Sequence, residues 1–147
     1  MPLPPLGELG ELPPGVHQAT LRETIDRFGT STTRRHGLAV RLQRIYHLAA
    51  ATGHLARFIV FSSFVTAKPE PNDVAVFLLM ENAFDYDQVT GETRYLFDHW
   101  TAQTYFGCSV FWVRRLAALN GEQATIEYWQ VKRDGTWRGI VELISEA

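Results

Sequence analysis

Residues 58–77 read FIVFSSFVTAKPEPNDVAVF, and this stretch decides the fold. It holds two short apolar runs, 58–61 and 74–80, joined by a polar connection over Ser62–Asp73. Continuous apolar runs of this length are typical of strands that are covered on both faces. The stretch therefore predicts two buried strands, with a small polar turn after the first and an acid, Asp73, at the start of the second.

Helical patterns flank this stretch on both sides. Thr20 and Glu23 have the spacing of a capping box, which predicts a short helix that starts after Thr20 and stops at Gly29. A longer helix is predicted over residues 33–52, where four apolar residues recur with the helical period: Leu38, Leu42, Ile45 and Ala49. Two more helices are expected further along the chain, at 98–106 and 122–131.

The remaining patterns predict strands. Residues 109–113 and 139–144 are short apolar runs, and residues 84–97 suit a hairpin. Helices before and between short buried strands are typical of an α/β or α+β domain built around a mixed sheet. The proline-rich residues 1–15 are expected to form an extended arm, and residues 16–147 a single domain.

Composition excludes several classes of protein. The chain has 147 residues, 46% of them hydrophobic, and a net charge of −2, which excludes disorder as the main state. Cys108 is the only cysteine, so an intrachain disulfide is excluded and a reducing cytoplasm is expected. No apolar run approaches the ~20 residues that cross a membrane, so no membrane partner is expected.

The charges are unevenly distributed along the chain. Residues 16–57 hold seven arginines and two acids, whereas residues 70–98 hold one arginine and seven acids. Such blocks form either two complementary surfaces of one domain or an anion-binding face beside a cation-binding cleft. Four arginines of the basic block are candidates for an anion-binding or partner-binding face: Arg34, Arg35, Arg41 and Arg44.

From Leu12 to Val141 the chain resembles a bacterial family of uncharacterised, nucleotidyltransferase-like proteins. The most specific match is the Ser-Phe-Val-Thr-x-Lys-Pro-x-Pro-x-Asp run of Ser63–Asp73. The other strong matches are Leu12–His17, Arg27–Thr30, Gly107–Trp112 and Lys132–Gly135. The resemblance implies a mixed sheet with flanking helices, in which a Gly-Ser turn contacts phosphates and an Asp-x-Asp pair begins the next strand. The two acids share a face and, with a third on a neighbouring strand, hold two Mg²⁺ ions.

This sequence departs from the implied pattern at three positions. Ser62 stands where the resemblance implies glycine, Ala75 where it implies the second acid, and Ser109 near the third. Only Asp73 remains of the three acids. One carboxylate with waters binds Mg²⁺ weakly, and losing metal ligands removes electrostatic stabilisation of the transfer step. The resemblance therefore implies a catalytically weakened or inactive protein that binds a nucleotide, a nucleic acid or a partner protein.

The candidate site residues follow from this reading. Asp73 is the candidate catalytic residue and weak Mg²⁺ ligand, although capping or pairing with a cation would explain it equally well. Ser62, Ser63 and Lys68 are candidates for binding the phosphates of a nucleoside triphosphate. For Ser63 the alternative is a turn serine that bonds its own backbone, and for Lys68 a solvated loop side chain.

Two further hypotheses stay open. An active Mg²⁺-dependent enzyme would move a nucleoside monophosphate to a protein or RNA acceptor, using Asp73 with Glu81, Asp85 or Asp98. An interaction module would be half of a bacterial toxin–antitoxin or defence pair, or a homo-oligomer. An exposed pair among the late aromatic residues would indicate such a protein interface. These aromatic residues are Trp112, Tyr128, Trp129 and Trp137.

Overall fold

A computed structural model of the chain describes residues 3–146. Its five strands form one mixed sheet in the order β1-β5-β2-β3-β4, and five α-helices accompany it. This arrangement confirms the expected α+β class. The elements are β1 (Val16–Thr20), α1 (Leu21–Phe28), α2 (Thr33–Ala51), β2 (Leu55–Phe61), β3 (Val74–Met80), α3 (Glu92–Tyr95), α4 (His99–Phe106), β4 (Cys108–Arg114), α5 (Glu122–Tyr128) and β5 (Ile140–Ile144).

One face of the sheet carries the main core. Alternate residues of a strand point to opposite faces, and on this face Val74, Val76 and Leu78 of β3 pack in one cluster with α1, α2 and α4. The long helix contributes the residues that the periodic pattern predicted: Leu38, Leu42, Ile45 and Ala49, all buried. None of the helices within residues 3–146 has the length and hydropathy needed to span a membrane.

The opposite face of the sheet is covered less completely. A smaller cluster of Ile59, Phe77, Leu79 and Ile140 packs there against Ile126 of α5. Trp129, directly after α5, is partly buried against the same cluster. This face therefore leaves room for polar side chains at the end of the sheet where β3 begins.

One strand is absent from the sequence-based predictions, and one local prediction differs from the structure. Residues 16–20 form β1, an edge strand with one buried residue, Ala19, so its apolar signal is weak. The hairpin predicted at 84–97 is wrong, because a 3₁₀ turn over Tyr86–Gln88 and the short helix α3 occupy this segment. Asp85 caps the turn, and the Arg94 guanidinium lies 4.2 Å from the centre of the Tyr86 ring.

The N-terminal arm, residues 3–15, packs against the rest of the fold and makes a turn at residues 7–11. Leu3 and Leu12 are buried, and the Arg27 guanidinium donates hydrogen bonds of 3.1 and 2.9 Å to the carbonyls of Leu3 and Pro4. Glu11 forms an isolated antiparallel bridge with Thr66. The arm is thereby joined to the connection between β2 and β3.

Cys108 begins β4 and is buried, and burial raises the pKa of its thiol to about 12. Because the thiolate is the reactive form, we expect almost no alkylation of Cys108 in the folded protein at about pH 8. Mass spectrometry after iodoacetamide treatment measures this reaction. The same treatment in guanidinium chloride is the control and should modify Cys108 completely. Equal rates in both conditions would contradict the burial of this thiol.

Candidate functional site

Four strands meet at one edge of the sheet. β2 ends there and β3, β4 and β5 begin there, because Phe61 pairs with Ala75, Ala75 with Ser109, and Val60 with Val141. The turn after β2 therefore lies beside the residues that open β3, β4 and β5. This edge brings together side chains that are far apart in the sequence.

Asp73, Ala75 and Ser109 are neighbours at this edge. The Ser109 hydroxyl donates a hydrogen bond of 2.8 Å to Asp73 Oδ2, and Ala75 pairs with Ser109 across the parallel strands. Asp73 and Ala75 lie two residues apart and face the same side of the sheet. The three positions at which the resemblance implies acids thus lie together, and one of them carries a carboxylate.

The acids considered as substitute ligands lie elsewhere. Glu81 follows the far end of β3, ~26 Å along an extended chain from Asp73, and pairs with Arg115 at 3.3 Å. Asp85 caps the turn that follows Glu81, and Asp98 caps the start of α4, where His99 Nδ1 lies 3.3 Å from the carbonyl oxygen of Val110 in β4. The use of one of them together with Asp73 stays a prediction.

The donor set does not fit a pair of Mg²⁺ ions. Two-metal sites need carboxylates that bridge the ions, and Asp73 with the Ser109 hydroxyl supplies a single carboxylate. Within residues 3–146 no group of three or more acidic, histidine or cysteine side chains is arranged to hold a metal ion. The residues at this edge therefore do not supply the ligands that a two-metal reaction requires.

Ser62 has an unusual backbone conformation. Its φ of 79° and ψ of −168° lie in a region that glycine adopts readily and other residues adopt at a cost. Its hydroxyl oxygen is buried and has no hydrogen-bond partner among the described residues. The turn therefore has the geometry of the glycine that the resemblance implies, although a serine occupies it.

We expect Ser62→Gly to raise the free energy of unfolding by about 1–2 kcal/mol, because it relieves the backbone strain and removes a buried unpaired hydroxyl. Urea unfolding followed by circular dichroism measures this change. The control is Ser63→Gly in the adjoining 3₁₀ turn, which should lower stability by about 0.5–1 kcal/mol. A Ser62→Gly protein no more stable than the parent would argue against strain at this turn.

A polar cleft opens beside the turn. It has a volume of about 470 Å³ and is lined by Ser63, Thr66 and Lys68 together with Lys132 and Arg138, which precede β5. The arm contributes Glu11, whose carboxylate lies 2.7 Å from Lys132 Nζ. Of the predicted phosphate-binding residues, Ser63 and Lys68 thus line a common cleft, next to the strained Ser62.

A family model matches residues 4–144, a range that contains the sheet, the turn and the cleft. The chain belongs to DUF6932. This is a family of unknown function. No curated protein and no solved structure matched the chain.

Sequence reasoning missed two cations of the DUF6932 cleft. Arg138 Nε is buried and has no hydrogen-bond partner among the described residues. Burial lowers the pKa of Arg138, and the nearby charge of Glu11 opposes this effect. The available signal was the resemblance around Lys132-Arg133-Asp134-Gly135, a turn motif directly before a buried strand.

Arg35 does not belong to an exposed arginine face, so that prediction is wrong for this residue. It is 3% exposed, and its guanidinium donates to backbone carbonyls on both sides of the turn. The acceptors are Phe28 at 2.9 Å, Phe64 and Thr66 at 2.7 Å each, and Lys68 at 2.5 Å. Burial lowers the pKa of Arg35. Its spacing of three and seven residues from Leu38 and Leu42 was the signal for a core-facing position.

The other three arginines remain on the exposed side of α2. Arg34 pairs with Glu70 at 3.1 Å and Arg44 pairs with Glu92, while Arg41 Nη1 donates to the carbonyl of Gly107 at 3.4 Å. Both carboxylates come from the acidic block. The two charge blocks of the DUF6932 chain therefore meet, at least in part, as complementary surfaces of one fold.

The late aromatic residues of the DUF6932 chain divide into two groups. Trp112 packs against the main core, and Trp129 stacks on Phe61 with ring centres 4.6 Å apart. Tyr128 and Trp137, by contrast, are 65% and 53% exposed. Aromatic residues are enriched at protein interfaces, and Tyr128 and Trp137 are exposed.

Proposed function

We propose that this DUF6932 chain is a nucleotidyltransferase-fold protein that binds a nucleoside triphosphate at the edge where β2 ends and β3 begins, and that its capacity for nucleotidyl transfer is weakened or lost. The observation that carries this proposal is the cluster of Asp73, Ala75 and Ser109, joined by the 2.8 Å hydrogen bond. The resemblance implies acids at all three positions, and one is present.

The balance of charges favours binding over transfer. Nucleotidyl transfer depends on metal ions that neutralise the triphosphate and activate the attacking oxygen, and such ions need several carboxylates. The edge has one, Asp73. Donors for phosphate oxygens are better represented, because the hydroxyl of Ser63 and the ammonium of Lys68 line the cleft, with the buried Ser62 hydroxyl next to them. A cytoplasmic location is part of the proposal, since Cys108 is the only cysteine.

Calorimetry with each of the four ribonucleoside triphosphates, with and without Mg²⁺, tests the binding. We expect one or more to bind, and Lys68→Gln to weaken that binding, because a phosphate loses a cationic partner. Arg22→Gln, which removes an exposed charge on α1, is the matched control and should bind as the parent does. Absence of binding by all four nucleotides would overturn the proposal.

A label-transfer assay with protein and RNA acceptors tests the loss of catalysis. We expect no transfer of a nucleoside monophosphate above the level without protein. Robust transfer by this chain would instead support the active enzyme. In that case further metal ligands would have to join Asp73, with Glu81, Asp85 and Asp98 as the candidates.

A protein-interaction role is the second candidate, and the exposed Tyr128 and Trp137 favour it. Bacterial toxin–antitoxin or defence partners and a second copy of the chain are the occupants that this candidate allows. Sedimentation velocity over a range of concentrations tests self-association. We expect Tyr128→Ser and Trp137→Ser to weaken any dimer that the parent forms. A parent that sediments as a monomer at every concentration would exclude the homo-oligomer.

A further inference from the structure

We infer that the cleft between the N-terminal arm, the turn after β2 and the segment before β5 binds a polyphosphate without a metal ion, with Lys68, Lys132 and Arg138 as its cations. This site rests on the proposed function and deepens it, because it assigns how the phosphate arm of the ligand is held. It replaces metal ions by side-chain cations at an edge that has lost its metal-binding acids.

The charge of the cleft fits a polyanion. Three cations and one carboxylate, Glu11, line it together with the hydroxyls of Ser63 and Thr66. The sum is two positive charges. Ammonium and guanidinium groups form short charge-assisted hydrogen bonds with phosphate oxygens, and hydroxyls can add neutral ones.

Arg138 is prepared for an additional acceptor. Its Nε lies buried without a hydrogen-bond partner among the described residues, and a buried donor left unpaired is costly. Because Arg138 also lines the cleft, a rotation of its side chain toward a phosphate oxygen there would satisfy this donor. The nearby Ser62 hydroxyl, at the end of the strand that pairs with β5, is also buried and without a partner.

Glu11 forms an ion pair with one of the cations, Lys132. Its carboxylate lies 2.7 Å from Lys132 Nζ, and its backbone is fixed by the bridge to Thr66. The arm therefore carries a built-in counter-ion, with which an incoming phosphate competes for Lys132. Removing this carboxylate should tighten polyphosphate binding, whereas removing a cation should weaken it.

A metal ion works against a site of this kind. Mg²⁺ bound to a triphosphate lowers its negative charge and occupies oxygens that the cations would contact. The cleft should therefore bind free triphosphate more tightly in EDTA than in excess Mg²⁺. A metal-dependent site would show the opposite order.

Calorimetry of the full chain with sodium triphosphate in EDTA is the test. We expect Lys132→Gln and Arg138→Gln each to weaken binding by about tenfold, the equivalent of one charge-assisted hydrogen bond. Glu11→Gln should tighten it severalfold. Arg133→Gln is the matched control, because it removes the same charge from an exposed neighbour outside the cleft, and should change the affinity by less than about twofold. Thermal unfolding verifies that each variant is folded.

Several outcomes would overturn the metal-free site. The first is triphosphate binding that needs Mg²⁺. The second is a loss of triphosphate affinity with Arg133→Gln that equals the loss with Lys132→Gln. The third is a triphosphate affinity that Glu11→Gln does not raise. The two proposals fail separately. Triphosphate that binds as tightly as every nucleoside triphosphate would support the cleft and contradict a nucleotide site. Nucleotide binding that needs Mg²⁺ and ignores both cation variants would overturn the cleft and leave the proposed function intact.

Discussion

Replacing Arg35 with alanine is expected to lower the free energy of unfolding by roughly 4 kcal/mol, because several buried carbonyls lose their donor at once. The guanidinium donates to Phe28 before α2 and to Phe64, Thr66 and Lys68 after β2. A buried acceptor left without a partner keeps its full desolvation cost. The side chain therefore ties the start of α2 to the connection that carries the candidate phosphate-binding residues.

The same substitution should abolish polyphosphate binding in whatever fraction stays folded. Arg35 fixes the direction of the carbonyls between Phe64 and Lys68, and hence of the whole turn that lines the cleft. Arg35→Lys keeps the positive charge but replaces a planar fork by a single ammonium that reaches fewer carbonyls. We expect this variant to be intermediate in stability, which keeps the prediction testable if the alanine variant fails to fold.

Arg34→Ala is the matched control for Arg35. Arg34 is the adjacent residue of α2, carries the same charge and pairs with Glu70 on the exposed surface. Exposed pairs contribute ~0–1 kcal/mol, so this variant should differ little from the parent. Urea unfolding followed by tryptophan fluorescence measures all three variants. Equal losses for Arg34→Ala and Arg35→Ala would mean that the buried hydrogen bonds of Arg35 contribute nothing measurable.

Local sequence patterns predicted most of the helices and strands because these patterns act over a few residues. The capping box of Thr20 and Glu23 is present, and the apolar run at 74–80 is a fully buried strand. The hairpin predicted at 84–97 is wrong because a local pattern does not include the contacts between side chains in this segment. The pattern does not encode the cap at Asp85 or the stacking of Arg94 on Tyr86, both of which the structure shows.

The site was predictable only in its local part. Ser62, Ser63, Lys68 and Asp73 belong to one continuous segment, so a motif could identify them. Lys132 and Arg138 reach the cleft through the antiparallel pairing of β5 with β2, a register that no local pattern determines. For Arg35 two signals conflict, because its charge predicts the surface whereas its place in the apolar period of α2 predicts the core.

Ala75→Asp should convert the lone acid into an Asp-x-Asp pair and give the largest change in metal response. Ala75 is 6% exposed and lies beside Ser109, two residues after Asp73. Without metal, a second carboxylate there is poorly solvated and is repelled by Asp73. We therefore expect the free energy of unfolding in EDTA to fall by about 2–3 kcal/mol.

Mg²⁺ should reverse this loss, because two carboxylates on one face provide the ligands that a single acid lacks. A ligand that binds only the folded state adds stability as its concentration exceeds its dissociation constant, by about 2.7 kcal/mol at a hundredfold excess. Urea unfolding across a Mg²⁺ titration, with calorimetry in parallel, measures both effects. The control is Ala75→Asn, because asparagine has nearly the same volume as aspartate but no charge. This variant should show little response to Mg²⁺. If both variants respond alike, position 75 does not face a metal site, and the assignment of Asp73 and Ala75 to the Asp-x-Asp pattern is wrong.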